Sequence, residues 1–407
     1  MTTPRDQPAP SVWTGQFFLC IGANLAISLV FYLLTTSIAL YAIDRFSAAD
    51  STAGFTASSF VVGAIASRFV GGTLVDVAGR RRTLLVALGA YVILSFLYLP
   101  SDSLGMLIAV RLLHGVAFGL GNTAVSASVQ ALLPPARRAE GTGYFMLSTS
   151  LSIAVGPLIA VQLAAGGHYL EMFWLSTASA AGGLVVALIL RPPELPAERR
   201  PRARDVQWLR PATMVEARAV PIAVVSLFCG AAYSSILALA SAYSAADGHP
   251  GSSAWFFGAY AVSMVVPRLF AGRLQDRWGP GVVLWPAFAM FAASLITLTV
   301  SASTTTMLLA GVLCGLGFGV IVPSAQAIAV AASPEHRVGV AVSTYFLALD
   351  LGTGLGPVLF GSLVPVTGYT GVYWVAAALV GVGALCFWLL RPRGPGMAQD
   401  AERLTQS

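Results

Sequence analysis

The stretch Gly72-Thr-Leu-Val-Asp76-Val-Ala-Gly79-Arg80-Arg81-Arg82 closes one long apolar segment and precedes another. It must therefore be a tight loop between two spanning helices. Three consecutive arginines cannot enter hydrocarbon, so they fix the side of the membrane on which the loop lies. Gly72 allows close helix approach, and Gly79 allows a left-handed turn. Asp76 stands where a helix ends and can accept hydrogen bonds from a neighbouring helix's N-terminus or from an arginine.

Outward from this loop, the whole chain has the composition of a polytopic membrane protein. Of its 407 residues 57% are hydrophobic and only 10% charged, against roughly 25% charged in a soluble domain. All 23 basic residues are arginine. They fall in short clusters between apolar segments, as orientation signals do, which argues against a nucleic-acid partner. Cys20, Cys229, Cys314 and Cys386 each lie inside an apolar segment, too widely spaced for a metal site or a disulfide framework. No metal and no organic cofactor is expected.

Apolar runs of about 20 residues place twelve spans near 17–41, 52–75, 83–100, 105–131, 141–164, 170–190, 220–244, 252–274, 281–301, 304–331, 338–363 and 370–390. The first run is too long for a signal-peptide core and is read as an uncleaved span. With the N-terminus cytoplasmic, inner segments hold nineteen arginines and outer loops only Arg45. That asymmetry puts both termini on the cytoplasmic side of a plasma (inner) membrane. The expected organisation is a polar tail 1–16, a six-helix half 17–190, a linker 191–219, a second half 220–390 and a disordered tail 391–407. The linker, rich in proline and arginine, reads as an orientation-setting connection, with a lipid-binding or regulatory arm as the alternative.

A shift of 200 residues lays Arg68, Gly72, Leu74, Asp76 and Gly79 on Arg268, Gly272, Leu274, Asp276 and Gly279. It also lays Gly115, Phe118 and Gly119 on Gly315, Phe318 and Gly319, and Gly156-Pro157 on Gly356-Pro357. A single register held across each half implies parallel repeats related by an axis along the membrane normal.

These features carry a family resemblance. The opening stretch resembles the loop signature of the major facilitator superfamily, Gly-x-x-x-Asp-x-x-Gly-Arg-Arg/Lys-x-Arg/Lys, with Val77 where the family often has Arg. Arg111-Leu-Leu-His114-Gly115-Val-Ala-Phe118-Gly119 resembles a second signature, Arg-x-x-x-Gly-x-x-x-Gly, linked to proton transfer. Gly156-Pro157 and Gly352-x-x-x-Gly356-Pro357 resemble the antiporter signature, but Ala160-Val161 and Phe360-Gly361 depart from its paired glycines. The resemblance covers residues 17–390. It implies an all-α membrane protein of twelve transmembrane helices in two pseudo-symmetric halves, a functional monomer working by alternating access. Within the superfamily the chain looks like the drug:H⁺ antiporter or general efflux group, which includes exporters of sugars and metal-chelating opines. It also implies a cytoplasmic gate built from Gly72, Asp76, Gly79, Arg80 and Arg82 with Gly272, Asp276 and Gly279, in which Asp76 clamps the end of the eleventh helix.

Two charges within spans invite a coupling role. A carboxylate at Asp350 is costly unless protonated or paired, which is what a site loading and releasing H⁺ requires; a structural hydrogen bond is the other reading. Arg111, about two turns into the fourth span, is expected either to modulate Asp350 or to snorkel outward. Asn122, three turns further on, shares its face. Arg68 and Arg268 sit at matched positions and read as gate or packing residues, with contact to an anionic substrate left open. His114 reads as a packed neutral histidine. Asn24, Tyr32, Asn122, Ser126, Gln130, Ser150, Tyr233, Ser234, Gln326 and Tyr345 are the expected cavity lining, suited to small amphipathic molecules.

Three functions fit to different degrees. The leading one is a proton-coupled exporter of a drug, sugar-like or metallophore-type molecule. An H⁺-coupled importer of the same fold comes second. A membrane enzyme or receptor comes third, disfavoured because the sequence holds no metal cluster, nucleophile motif or soluble domain.

Overall fold

The computed structural model describes residues 11–390 apart from 205 and 209. The expected tail 391–407, residues 1–10 and the arginines on them lie outside the described residues. Among the described residues every regular element is a helix. The first half comprises α1 (Gly15–Phe46), α2 (Asp50–Ala78), α3 (Arg80–Phe96), α4 (Leu104–Leu132), α5 in two pieces (Arg138–Phe145 and Leu147–Ala165) and α6 (Tyr169–Ile189). The second comprises α7 (Val220–Ala246), α8 in three pieces (Ser252–Ser263, Val265–Arg268 and Ala271–Trp278), α9 (Pro280–Thr297) and α10 (Thr304–Ala331). The remaining helix, Val338–Leu390, is two spans, because Gly368 at φ 66° breaks the helical backbone; we call them α11 (338–367) and α12 (369–390).

The repeat extends to the chain's punctuation. Ser103 and Ser303, 200 residues apart, each begin a helix by accepting the backbone N–H of the residue three further on, the side-chain N-cap that satisfies an orphan donor. Gly79 and Gly279 sit at φ 93° and 87° with extended ψ, a region essentially closed to residues with a Cβ. Each turns the chain sharply from one span into the next. The motif glycine is therefore needed twice for the same backbone reason.

Small residues decide which helices touch. A Cβ on Gly119 would lie 2.9 Å from the Ala64 carbonyl oxygen, and one on Gly315 would lie 2.9 Å from that of Tyr260. The α2–α4 and α8–α10 pairs thus pack backbone to backbone, where van der Waals contact drives association in lipid. Gly156 brings α5 against α1 at Tyr32, and Gly352 brings α11 against α7 at Ala231. Long apolar side chains such as Val86, Leu158, Val262 and Leu359 remain on the outside of the bundle, as a lipid-facing surface requires.

The segment 191–219 does more than tether. Glu194 accepts the backbone N–H groups of Arg80 and Arg81 (3.2 and 2.8 Å) at the start of α3. The helical turn Pro211–Met214 takes a hydrogen bond from Thr73 at the Thr213 carbonyl (2.9 Å). Further on, Glu216 pairs with Arg337. We call this end of the bundle the linker face. The expected N-terminal tail also shortens: α1 starts at Gly15, and Trp13 before it stacks on Tyr144 at 4.7 Å.

Candidate functional site

At the linker face the two halves are tied by a reciprocal pair of helix caps. Asp76, at the end of α2, accepts the backbone N–H groups of Gly339 (2.8 Å) and Val340 (3.0 Å) at the start of α11. Asp276, at the end of α8, accepts those of Ala139 (3.0 Å) and Glu140 (2.8 Å) at the start of α5. Each half thus caps a helix of the other. A carboxylate at a helix N-terminus satisfies orphan N–H donors and meets the positive end of the dipole, together worth about 1 kcal/mol or somewhat more.

These caps need glycine beside them. A Cβ on Gly72 would lie 2.6 Å from both the Gly339 oxygen and the Val340 Cα; one on Gly272 would lie 2.5 Å from the Ala139 oxygen and the Glu140 Cα. Around the second cap, Glu140 takes Arg137 (2.7 Å) and Arg273 (2.7 Å). We expect Asp76→Asn to lower transport several-fold while expression is unchanged, because the amide keeps an acceptor but loses the charge. Flux per molecule in liposomes, alongside the size-exclusion profile, measures both.

About three turns deeper from this face, two arginines bridge the halves. Arg68 on α2 forms an ion pair with Asp350 on α11 (3.0 Å). It also donates to the Gly119 carbonyl (3.0 Å), Thr123 (2.7 Å) and Asn122 (3.1 Å) on α4, and lies 4.6 Å from the centre of the Phe346 ring. Arg268 on α8 donates to the Gly319 carbonyl (3.4 Å) on α10 and, across the halves, to Ser150 and the Met146 carbonyl. Arg68 is 1% accessible and Asp350 23%, so the carboxylate is the more open of the two.

Other residues named from the sequence fall elsewhere. Arg111 does not meet Asp350. It is buried inside the first half, 4.7 Å from the centre of the Phe60 ring, and donates to the Ala57 carbonyl (3.1 Å). It therefore does not share a cavity wall with Asn122, which is engaged by Arg68. His114 is held by Ser95 (3.1 Å) and Tyr98 (3.0 Å) against Tyr91. Arg80 donates to the Pro193 carbonyl (2.6 Å) and lies within electrostatic range of Asp76, while Arg82 is exposed and makes no polar contact among the described residues. Arg80 thus lies between the linker and the Asp76 cap, and Arg82 flanks it.

The expected lining divides similarly. Asn24 bonds Ser148 (2.8 Å) and Thr149 (2.9 Å), a contact between α1 and α5. Gln130 bonds Thr142, Ser234 bonds its own helix, and Tyr345 donates to the Val322 carbonyl. Ser126 and Gln326 are buried, with no hydrogen-bond partner among the described residues for the hydroxyl or for either amide atom. Tyr32, Asn122, Ser150 and Tyr233 lie with the two arginines or the aromatic rings near them. Residues not foreseen are Phe346, Thr123, Met146 and Tyr260.

The sequence profile of the Major Facilitator Superfamily matches residues 19–253 and again 222–406. The chain belongs to this superfamily. An uncharacterized MFS-type transporter of Burkholderia mallei is 27% identical over 333 residues, 79% of each chain. One from Mycobacterium tuberculosis is 28% identical over 141 residues, 35% of this chain and 24% of that one. The crystal structure of the human organic anion transporter MFSD10 (TETRAN) has the same fold, with a TM-score of 0.79 at 18% identity, over 92% of this chain and 100% of that one. The chain is accordingly a multi-pass membrane transporter of the superfamily. Its reciprocal caps and bridging arginines are the parts of that machine visible here.

Proposed function

We propose that the protein is a proton-coupled exporter of small amphipathic molecules, resembling the drug:H⁺ antiporter group, with its linker face cytoplasmic and the proton its only coupling ion. The observation that carries this reading is the Arg68–Asp350 pair between the halves. Arg68 keeps three acceptors in its own half when Asp350 lets go, whereas among the described residues Arg68 is the only basic partner Asp350 has. Protonating the carboxylate therefore removes the charge that binds α11 to α2 without disordering the arginine. The open edge of Asp350 is where a proton would arrive. With the caps formed the linker face is shut; breaking them lets the halves rock to the alternate state.

Export is supported by the Gly-Pro segments of α5 and α11, which pack tightly against α1 and α7 where bending would serve gating. The direction is tested in vesicles with a panel of fluorescent amphipathic cations, acids and neutral compounds. Everted vesicles with an acidic lumen should accumulate the substrate. Accumulation in right-side-out vesicles with an acidic exterior would instead assign an importer.

A further inference from the structure

We propose that Arg268 is the receptor for a carboxylate carried by the transported molecule, so that the cargo is an amphipathic aromatic monocarboxylate. This rests on the transport reading above and adds the charge of the substrate. The starting point is a symmetry that fails at one position. The shift of 200 residues takes Arg68 to Arg268, Gly119 to Gly319 and Ser150 to Asp350. Both arginines donate to the corresponding glycine carbonyl in their own half, and both reach across to the other. Arg68 meets the carboxylate of Asp350 there; Arg268 meets only the hydroxyl of Ser150 and a carbonyl.

Two guanidinium groups thus share one architecture, and only one has a counter-charge. Among the described residues no carboxylate pairs with Arg268, which is 4% exposed. Its ionisable neighbours are the hydroxyls of Tyr260, Tyr32 and Tyr345. Nη1 makes both cross-half bonds, and Nη2 donates to nothing among the described residues. A buried cation without an anion is unfavourable, and a guanidinium fork matches a carboxylate better than any neutral acceptor. Arg111 also lacks a carboxylate, but it is enclosed within one half and does not face the other.

The helix supplies an independent observation. α2 runs unbroken past Arg68, whereas α8 is interrupted on both sides of Arg268 and bends by 40°. Pro267, standing where the first half has Ser67, has no N–H to give the helical ladder. Discontinuous spanning helices persist where the freed backbone lines a binding site. Beside the break, Tyr260 packs on Tyr233 (5.6 Å between ring centres), which stacks on Phe318 (4.2 Å). These rings are buried while the linker face is closed; as the halves part, an aromatic acid can place its ring on them and its charge on Arg268. Its carboxylate then does for Arg268 what Asp350 does for Arg68, except that it departs with the cargo.

The test is equilibrium binding to the purified full-length protein in detergent, read by calorimetry and by unfolding temperature. The probes are benzoate, phenylacetate and indole-3-acetate, each against its neutral amide. At least one acid should bind and stabilise the wild type while its amide does not. Arg268→Gln should raise the acid's Kd at least about tenfold, the loss of one charge-assisted contact. Ser150→Asp gives Arg268 a built-in partner, so it should fold, unfold at a higher temperature than wild type without ligand, and lose the acid response. This variant keeps the test decisive if Arg268→Gln does not fold. No binding of any of the three acids, equal binding of acid and amide, or an acid response that survives Ser150→Asp overturns the proposal. Such a failure leaves proton coupling standing, because that is judged by proton movement in Asp350→Asn. Conversely, carboxylate binding with proton movement unaltered in Asp350→Asn removes the coupling reading alone.

Discussion

Asp350→Asn should reduce substrate-driven proton movement in liposomes at least about tenfold, to near background, while downhill exchange of the substrate continues. The asparagine keeps the size of the side chain and one acceptor for Arg68, so the bridge between α2 and α11 retains its shape. What it lacks is a carboxylate that can be loaded and emptied. A hydrogen bond to a charged group is worth about 1.5–3 kcal/mol, and 1.4 kcal/mol already corresponds to about tenfold. Arg68→Gln should act similarly from the other side, because Asp350 then has no cation to leave or rejoin. Proton movement of wild-type size in Asp350→Asn, measured with a pH-sensitive dye inside the liposomes, would end the coupling assignment.

The second large effect should come from Gly72→Val, and its sign is opposite in kind. Here nothing chemical is removed; closure itself is blocked. The added Cβ would sit 2.6 Å from two atoms of the Gly339–Val340 segment and 2.7 Å from the Ser343 Cβ, and backbone atoms cannot rotate away. Overpacking of this sort costs about 1–3 kcal/mol, a shift of roughly 5- to 150-fold toward the open linker face. Cysteine reactivity reads it out. With Cys20, Cys229, Cys314 and Cys386 replaced, a thiol introduced by Ser324→Cys lies buried behind the Asp276 cap in the closed state. It should react faster with a water-soluble maleimide when Gly72→Val is added. An unchanged rate would mean that the glycine is dispensable to closure.

Most of the architecture was legible because it rests on patterns that survive in one dimension. Span lengths follow from apolar runs, and the repeat follows from a constant offset between motif residues. The ends of helices were less legible: α8 continues several residues beyond its apolar core into a polar segment held by the linker-face cap, and α1 does so at the opposite face, where Asp44 accepts from Tyr169. The partner of Asp350 is legible only through a depth argument. Asp350 lies roughly 18 Å along α11 from the linker face, and Arg68 lies roughly 15 Å along α2 from the same face. Arg111, by contrast, follows the start of α4 closely and so lies near the opposite face. Comparing those depths would have selected Arg68. The work of Glu194 and Glu216 could not be read at all, since acids in a proline-rich segment carry no periodicity and their partners are distant in sequence.

The exchange of caps has the form of a self-complementary dimer contact, in which residue i of one protomer meets j of the other and j meets i. In two separate six-helix chains any substitution in that contact would occur twice, and both arms would always match. Covalent fusion of the halves lifts this restriction. One arm of the deeper bridge can then acquire an acid while its twin keeps a hydroxyl. A two-fold scaffold thereby holds one-sided chemistry, and the only part that must remain even-handed is the latch.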